Sequence, residues 1–571
     1  MLVLQSWQTN LPRLLLSSVT MKRKFILVII LLFCSAFLSA QIRIDWQQCY
    51  GSFSMDHASR IAKKEGGYWV TGIVREQSGL VTIPAAYRSW VIDIDETGNL
   101  KMELGLGQYA RHCEDFFANY NGVDYYAIGL PPNEFGKDQL GIKKINANGD
   151  VLWERLFGDK NKAFWDVTKG IGTPDGGALA STTTQWSGGD ISNHYGWNDV
   201  WVVKVDSQGN LEWETTLGTE NSEYPCSFSV ASEGGYYVTM TGNPGYTGSI
   251  PVCQVPTIDD YDGLIAKLDV NGNLLWSRCY GGSKHESIKG VIELENGFLL
   301  TCYTQSDDRD AEGAGYHLGY LNNLPYNRQT KDIWLIRTDA DGNIIWSRCY
   351  GGTGDETPTK AFQNEDGGFT VFGTTASIDG DAQSAQNLHW SWQEYVYSKL
   401  WVFRTDANGN LIWERAIGTK MSRDMYLDDV VKLSDTEYTI LATAHPPAEG
   451  HEGDFNCTNW DNRLCGYDSY WVLHITDIFN YDDPTGIEEQ PKVVPFTAKV
   501  YPNPTSNYLV VNGEKLQSAD VYSLLGELVA SKLGENVANI TIDMNELPAG
   551  VYFVKVRDTE GRMCVQKIVK R

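Results

Sequence analysis

Between residues 332 and 351 the chain alternates apolar and polar side chains in two runs, Ile-Trp-Leu-Ile-Arg-Thr-Asp and Asn-Ile-Ile-Trp-Ser-Arg-Cys-Tyr, on either side of Ala340-Asp341-Gly342. A period of two puts one face of each run inward, which predicts strands over 333–339 and 343–350. Gly342 accepts the positive φ that a tight hairpin turn needs. The second run, Trp-x4-Gly, recurs from Trp46, Trp153, Trp213, Trp276, Trp346 and Trp413, with a degenerate copy from Met102. The first run recurs around Trp90, Leu140, Trp201, Leu264, Trp334, Trp401 and Trp471. A further hairpin lies between these copies, as in Glu65-Gly-Gly-Tyr-Trp-Val-Thr, Glu233-Gly-Gly-Tyr-Tyr-Val-Thr and Asp366-Gly-Gly-Phe-Thr-Val-Phe. Each unit therefore holds four short strands in about 50–70 residues, the size of a propeller blade.

The two ends of the array are complementary. The last unit has three strands, ending near Asp477, and no Trp-x4-Gly follows. The first Trp-x4-Gly, from Trp46 to Gly51, lacks its own three strands. An N-terminal strand that completes the last blade closes a ring and removes the exposed sheet edges. The expectation is a seven-bladed β-propeller over 41–477. An open β-solenoid or a string of separate sandwiches leaves the split unit unexplained. The repeated Trp residues are expected to pack between blades.

In such a blade the 1–2 and 3–4 turns share one face, and here they are short and uniform. The 2–3 loops, on the opposite face, vary in length and composition and are the expected place for binding. Their aromatics, Trp186, Trp197, Tyr316, Trp390, Trp392 and Trp460, could stack sugars or anchor a protein, or pack among themselves as satellite clusters. Asp307, Asp310, Asp379 and Asp381 on the same loops are candidate calcium ligands or simply solvated acids. A further acidic series, Asp56, Asp166, Glu223, Glu286, Glu356 and Asp424, opens the innermost strands and is expected to ring the channel mouth. It could lock adjacent blades by hydrogen bonding or form an axial cation or polar-ligand site.

A net charge of −25 disfavours nucleic acid and anionic membrane surfaces as partners. Met21-Lys-Arg-Lys24, the apolar run 25–37 and Leu38-Ser39-Ala40 read as a signal peptide over 21–40, with 1–20 as a misannotated extension. No other transmembrane candidate is present. Export permits disulfides, for which Cys457 and Cys465 are the expected pair. Cys49, Cys279 and Cys349 share one repeat position and are not expected to pair with each other. No G-x-S-x-G, H-E-x-x-H or P-loop occurs. The Asp-x-x-Gly-Asn-x-x-Trp turns resemble the tryptophan-docking repeat of quinoprotein dehydrogenases, one residue shorter, and the Asp-box of sialidases, differently spaced. The shared need for a tight turn accounts for both.

Residues 478–494 read as a polar linker, after which a new β pattern begins. Some 75 residues of short strands suggest a small β-sandwich. Val500-Tyr501-Pro502-Asn503-Pro504, Asp520-Val-Tyr-Ser-Leu-Leu-Gly526, Leu547-Pro-Ala-Gly550-Val-Tyr-Phe-Val-Lys-Val556 and the terminal Lys567-Ile-Val-Lys570-Arg571 resemble the type A C-terminal sorting domain of the Bacteroidetes type IX secretion system, over 495–571. The resemblance implies export through the periplasm, recognition by the secretion machinery and a sortase-like peptidase, and release or attachment at the cell surface. The propeller is similar to repeat proteins of the same bacteria with W-V-V-K-x-D-x-x-G-N-x-x-W units, which implies a fold and a surface location. The resulting expectation is a secreted or surface-attached propeller that binds carbohydrate or a protein through its long loops. A propeller-fold polysaccharide lyase or glycoside hydrolase and a purely structural adhesin are the alternatives.

Overall fold

The computed structural model describes residues 42–477 and 498–571, except 53, 84–88, 107–112, 119–123, 165–167, 244, 246, 251–260, 322–327, 390–395, 421–423, 445–453, 455–468, 524–527, 546 and 560–562. The chain divides into two compact units, ending at Phe479 and beginning at Asn480. Residues 1–41, which hold the expected signal peptide, and the linker 478–494 lie outside the described residues.

The first unit is built of seven four-stranded antiparallel sheets, with a two-stranded ribbon, Tyr320–Leu321 and Arg328–Gln329, in the 2–3 loop of the fifth. Blades 1 to 6 span 57–105, 113–157, 169–217, 222–280, 287–350 and 356–417. Blade 7 takes three strands from 426–477 and its outermost from the N-terminal strand Ile42–Tyr50. That strand pairs with Ser469–Asp477, from Ile42 opposite Asp477 to Tyr50 opposite Tyr470, so the ring closes as the split repeat requires.

The strands differ by their place in the blade. The third strand is covered on both faces, and Trp90, Trp201, Trp334, Trp401 and Trp471 in it are fully buried. The indole N–H of Trp90, Trp201 and Trp401 each donates to a glutamate on the outermost strand of the same blade, at 2.8–2.9 Å. The outermost-strand Trp residues reach across to the next blade. Trp153 and Trp213 lie over the 3–4 turns of blades 3 and 4 and donate to Ser207 O (3.1 Å) and Val270 O (3.0 Å). At the next two seams, the hydroxyl of Tyr280 donates to Gly342 O (2.6 Å) and that of Tyr350 to Gly409 O (2.5 Å). At these four seams the repeated Trp and Tyr bury an aromatic face together with one satisfied polar atom, whereas the buried indole N–H of Trp413 has no hydrogen-bond partner.

In every blade but the third, the first half of the innermost strand carries an irregularity, as at Ala58/Arg60, Ile288/Gly290 and Pro358/Lys360. A bulge bends the strand and re-aims its side chains.

The second unit is a five-stranded antiparallel sheet. Where short strands are expected, two long ones form, Tyr508–Ser523 and Leu528–Asp543, with register shifts between Asn512 and Leu516 and between Leu516 and Ser518. The shifts let one strand turn from one set of partners to another. Leu509, Val511, Leu516, Val521, Val554 and Ile568 are buried between the two halves.

Candidate functional site

The loop face is built from the repeat glycine outward. After each outermost strand the chain turns from this glycine into the next innermost strand, which exposes several backbone N–H groups. In blade 5, Gly351 N–H donates to Asp381 (3.3 Å), Gly352 N–H to Glu356 (3.1 Å) and Thr353 N–H to Asp379 (2.8 Å). In blade 4, Gly281 donates to Asp310 (3.0 Å), Gly282 to Glu286 (2.8 Å) and Ser283 to Asp308 (2.8 Å). Three carboxylates thus collect three successive donors. Two of them come from the 2–3 loop of the following blade, whose backbone returns a bond from Asp381 N–H to Gly351 O (2.7 Å). The same latch joins Gly158 to Asp190 and Gly418 to Asp454. The Asp-x-Asp and Gly-Asp signatures of the long loops are therefore inter-blade fasteners. Gly351 is required because a Cβ there would lie 2.3 Å from Glu356 Oε2 and 2.8 Å from Asp332 Oδ1.

The predicted acidic series occupies this latch. Asp56, Glu223, Glu286 and Glu356 are fully buried and fold back onto the residue four before them, instead of lining an open mouth. Glu286 and Glu356 also accept from Thr304 and Thr375 hydroxyls, both at 2.7 Å. Asp424 accepts the N–H of Ser398 (2.8 Å), and Asp166 lies outside the described residues. At several junctions a buried carboxyl of this series meets a second one. Asp199 lies beside Glu223 and Asp332 beside Glu356, and Oδ1 of each aspartate has no hydrogen-bond partner. Burial, with the neighbouring acid, pushes Glu223 up to about 7 and Glu356 up to about 8. Asp56 is pushed up to about 6, mainly by burial.

Three of the four candidate calcium ligands serve the same end. Asp310, Asp379 and Asp381 accept backbone N–H groups, Asp307 is exposed, and no group of three acidic, His or Cys side chains converges among the described residues. Of the loop aromatics, Trp186 packs on Phe164 (5.6 Å between ring centroids) at the edge of a core cluster. Tyr316 packs on the blade 5 core and donates to Thr330 O (2.6 Å). Trp197 does neither and is 75% exposed. Trp390, Trp392, Trp460, Cys457 and Cys465 lie outside the described residues. Cys49 and Cys279 are each disulfide-bonded, whereas Cys349, at the same repeat position, is a free thiol.

Trp197 opens onto a band that sequence reading missed. Beside it, Gln185 donates to the side-chain oxygen of Asn198 (2.8 Å), and the Asn198 amide donates to the Tyr224 hydroxyl (3.0 Å). Tyr224 packs on Tyr261 (6.2 Å), which stacks on His285 (5.6 Å, 20° between planes). All five are partly or fully exposed, and they run from blade 3 to blade 5 on the long-loop face. Tyr224 and His285 come from the start of innermost strands and Tyr261 from the end of a loop, so no shared spacing marks them. Within the ring, Arg60 bonds Asp115 (2.5 Å) and approaches Asp429 (3.8 Å), which Lys360 also binds (2.8 Å). Asp115 and Asp429 further accept Gly170 and Ile61 N–H from the next blade. Asp115 thus belongs to a second, bulge-linked series.

In the second unit the structure brings the sorting motifs together. The Asn503 side chain donates to Lys567 O and accepts from Val569 N–H, both at 2.9 Å. Thr505 pairs with Lys570, which lies opposite Gly550. Tyr501, Pro502 and Pro504 are exposed alongside.

Residues 499–571 match the family described as the secretion system C-terminal sorting domain. No curated protein matches the chain. Among solved structures, the WD40 domain of SCAP from fission yeast is 10% identical over 77% of this chain and 98% of its own, with a TM-score of 0.31. A protein of unknown function from Dyadobacter fermentans DSM 18053 is 9% identical over 76% and 99%, with a TM-score of 0.36. The blade count rests on the strand pairing and not on these likenesses. The chain is a seven-bladed β-propeller with a type IX secretion sorting tail, and so a secreted or cell-surface protein.

Proposed function

We propose that the propeller binds carbohydrate on its long-loop face, against Trp197 and the Asn198–Tyr224–Tyr261–His285 band. The observation that carries this reading is the exposure of Trp197 beside paired amides and stacked rings. A flat indole on a rigid scaffold covers the C–H face of a sugar, while neighbouring amide, phenol and imidazole groups meet its hydroxyls. Burying such a ring under a ligand contributes about 1–3 kcal/mol. The sorting domain delivers the propeller to the outer surface, where the type IX machinery recognises the tail and a sortase-like peptidase removes it. The test is a glycan array probed with the full chain and with Trp197→Ala. Selective binding to one glycan class that the variant loses by roughly tenfold or more supports the reading. An array without binding, or one that the variant reproduces, overturns it.

A further inference from the structure

The residue left out of pairing at the bulge of the innermost strand varies around the ring. It is Cys226 in blade 4, Lys289 in blade 5, Thr359 in blade 6 and Asp428 in blade 7. Thr359 and Asp428 are satisfied within the fold: the Thr359 hydroxyl donates to Leu427 O (2.9 Å), and Asp428 accepts from the Thr443 hydroxyl (2.8 Å). The cations next to the bulges of blades 1 and 6 are matched too, Arg60 to Asp115 and Lys360 to Asp429. Lys289 differs. Among the described residues its partly exposed ammonium forms no ion pair and donates no hydrogen bond; it lies over the Tyr303 ring, 5.4 Å from the centroid. Lys331 approaches the same ring (4.8 Å), but beside Asp355, which accepts its backbone N–H (3.0 Å). Lys289 is therefore the cation here that the fold leaves unmatched. Its place matters because Tyr303 continues the aromatic band. Ser287, two residues after His285, pairs with Tyr303, and Gln305 N–H, two residues after Tyr303, donates to His285 O (3.2 Å). Cys226, two residues after Tyr224, brings its sulfur 3.6 Å from the Ser287 hydroxyl. The band thus passes from Trp197 through Tyr224, Tyr261 and His285 to a partly exposed tyrosine that carries a free charge. An anion that reaches this ammonium makes a charge-assisted hydrogen bond that the fold does not itself provide.

We propose that the glycan on the Trp197 band is acidic and that Lys289, over Tyr303, takes its carboxylate or sulfate ester. The inference rests on the carbohydrate reading above and adds the charge of the ligand and the end of the band at which that charge sits. The neutral part of the glycan lies on the rings of blades 3 and 4, and the acidic unit meets blade 5. The chain carries a net charge of −25, so long-range attraction does not draw such a ligand in, and the selection is made locally. Lys289 accordingly separates acidic from neutral forms of one sugar backbone.

The experiment uses the full chain on matched pairs of glycans: galacturonate oligosaccharides with their methyl esters, and carrageenan oligosaccharides with their desulfated forms, each titrated by calorimetry. The acidic member should bind, and its neutral counterpart should bind roughly tenfold or more weakly, the loss expected for one charge-assisted hydrogen bond. A preference within the galacturonate pair alone assigns a carboxylate, and within the carrageenan pair alone a sulfate ester. Lys289→Gln should lower the acidic member to the affinity of its neutral counterpart and leave the neutral one unchanged, and Lys289→Arg should restore the preference. Should Lys289→Gln fail to fold, salt provides a second measure: between about 50 and about 500 mM NaCl the native protein should lose affinity for the acidic member and keep it for the neutral one. Equal binding within both pairs, salt-independent binding of the acidic member, or an undiminished preference in folded Lys289→Gln overturns the proposal and leaves the carbohydrate reading in place. Binding of neither pair also overturns it, and the wider array probed with Trp197→Ala then decides whether the carbohydrate reading falls as well.

Discussion

The two faces of the propeller use carboxylates in opposite electrostatic states. On the turn face, Asp206, Asp269, Asp339 and Asp406 each accept two backbone N–H groups, from residues two and four ahead, and a side-chain amide from the following Asn, all at 2.7–3.0 Å. Hydrogen bonding in an open setting holds these carboxyls below the usual carboxylate range. On the long-loop face, Glu223 and Glu356 also accept N–H and O–H donors, yet they lie well above that range because burial outweighs the bonds. The number of donors is similar, so solvent decides the sign. A turn aspartate makes its bonds within a few residues, in water, and the motif can be copied blade after blade. A loop-face acid depends on the next blade to cover it, and its surroundings change from junction to junction: the first residue of the third strand, against the blade-ending glycine, is Asp332 in blade 5 and Lys399 in blade 6.

The largest test removes what both faces share. Deleting residues 42–50 takes away the outermost strand of blade 7, with buried Cys49 and Tyr50, and leaves the edge of Ser469–Asp477 unpaired. The expected outcome is loss of the cooperative calorimetric transition of the whole propeller. A truncated protein that melts unchanged would show that the blades are stable without closure and that neither face depends on the ring.

A smaller effect separates the loop face from the turn face by one side chain. Glu356→Ala leaves the Gly352 N–H and the Thr375 hydroxyl without their acceptor and opens a cavity, at a cost of about 2–4 kcal/mol in chemical denaturation. Glu356→Gln keeps an acceptor and the shape and carries no charge, so it should cost under about 1 kcal/mol at neutral pH. A glutamine variant as unstable as the alanine variant would mean that Glu356 works as an anion and that the contrast between the faces is wrong.

The contrast also marks what could be read from the chain. Ring closure was legible, because a missing strand at one end and a spare one at the other form a pattern in register, which the Ile42–Asp477 pairing bears out. The acidic series was legible as positions but not as a latch, since its partners are backbone groups without a sequence signature. Trp186, Tyr316 and Trp197 look alike in sequence, and only packing distinguishes the exposed one. Tyr224, Tyr261 and His285 were missed because a site assembled across blades shares no spacing.

The smallest effect, and the most specific, is on the two limbs of the pH–stability curve. A carboxyl whose folded pKa is raised contributes stability that is fully present below its unfolded value, about 4.5 for Glu, and lost as pH rises through the folded value. For Glu223 and Glu356 that loss runs from about pH 4.5 to about 7 and 8. A turn aspartate with a lowered pKa contributes stability that is present above its unfolded value, about 3.9, and is lost as pH falls through the folded one. The melting temperature should therefore decline on both sides of a mildly acidic optimum, for a different reason on each side. Glu356→Gln should flatten the decline between about pH 5 and 8 and leave the acid limb in place. Asp339→Asn should soften the acid limb below about pH 4 and leave the neutral limb unchanged. Scanning calorimetry from pH 3 to 9 on the three proteins reads both limbs. If Glu356→Gln changes the acid limb instead, the buried carboxyls are ionised in the folded ring and the two faces do not differ.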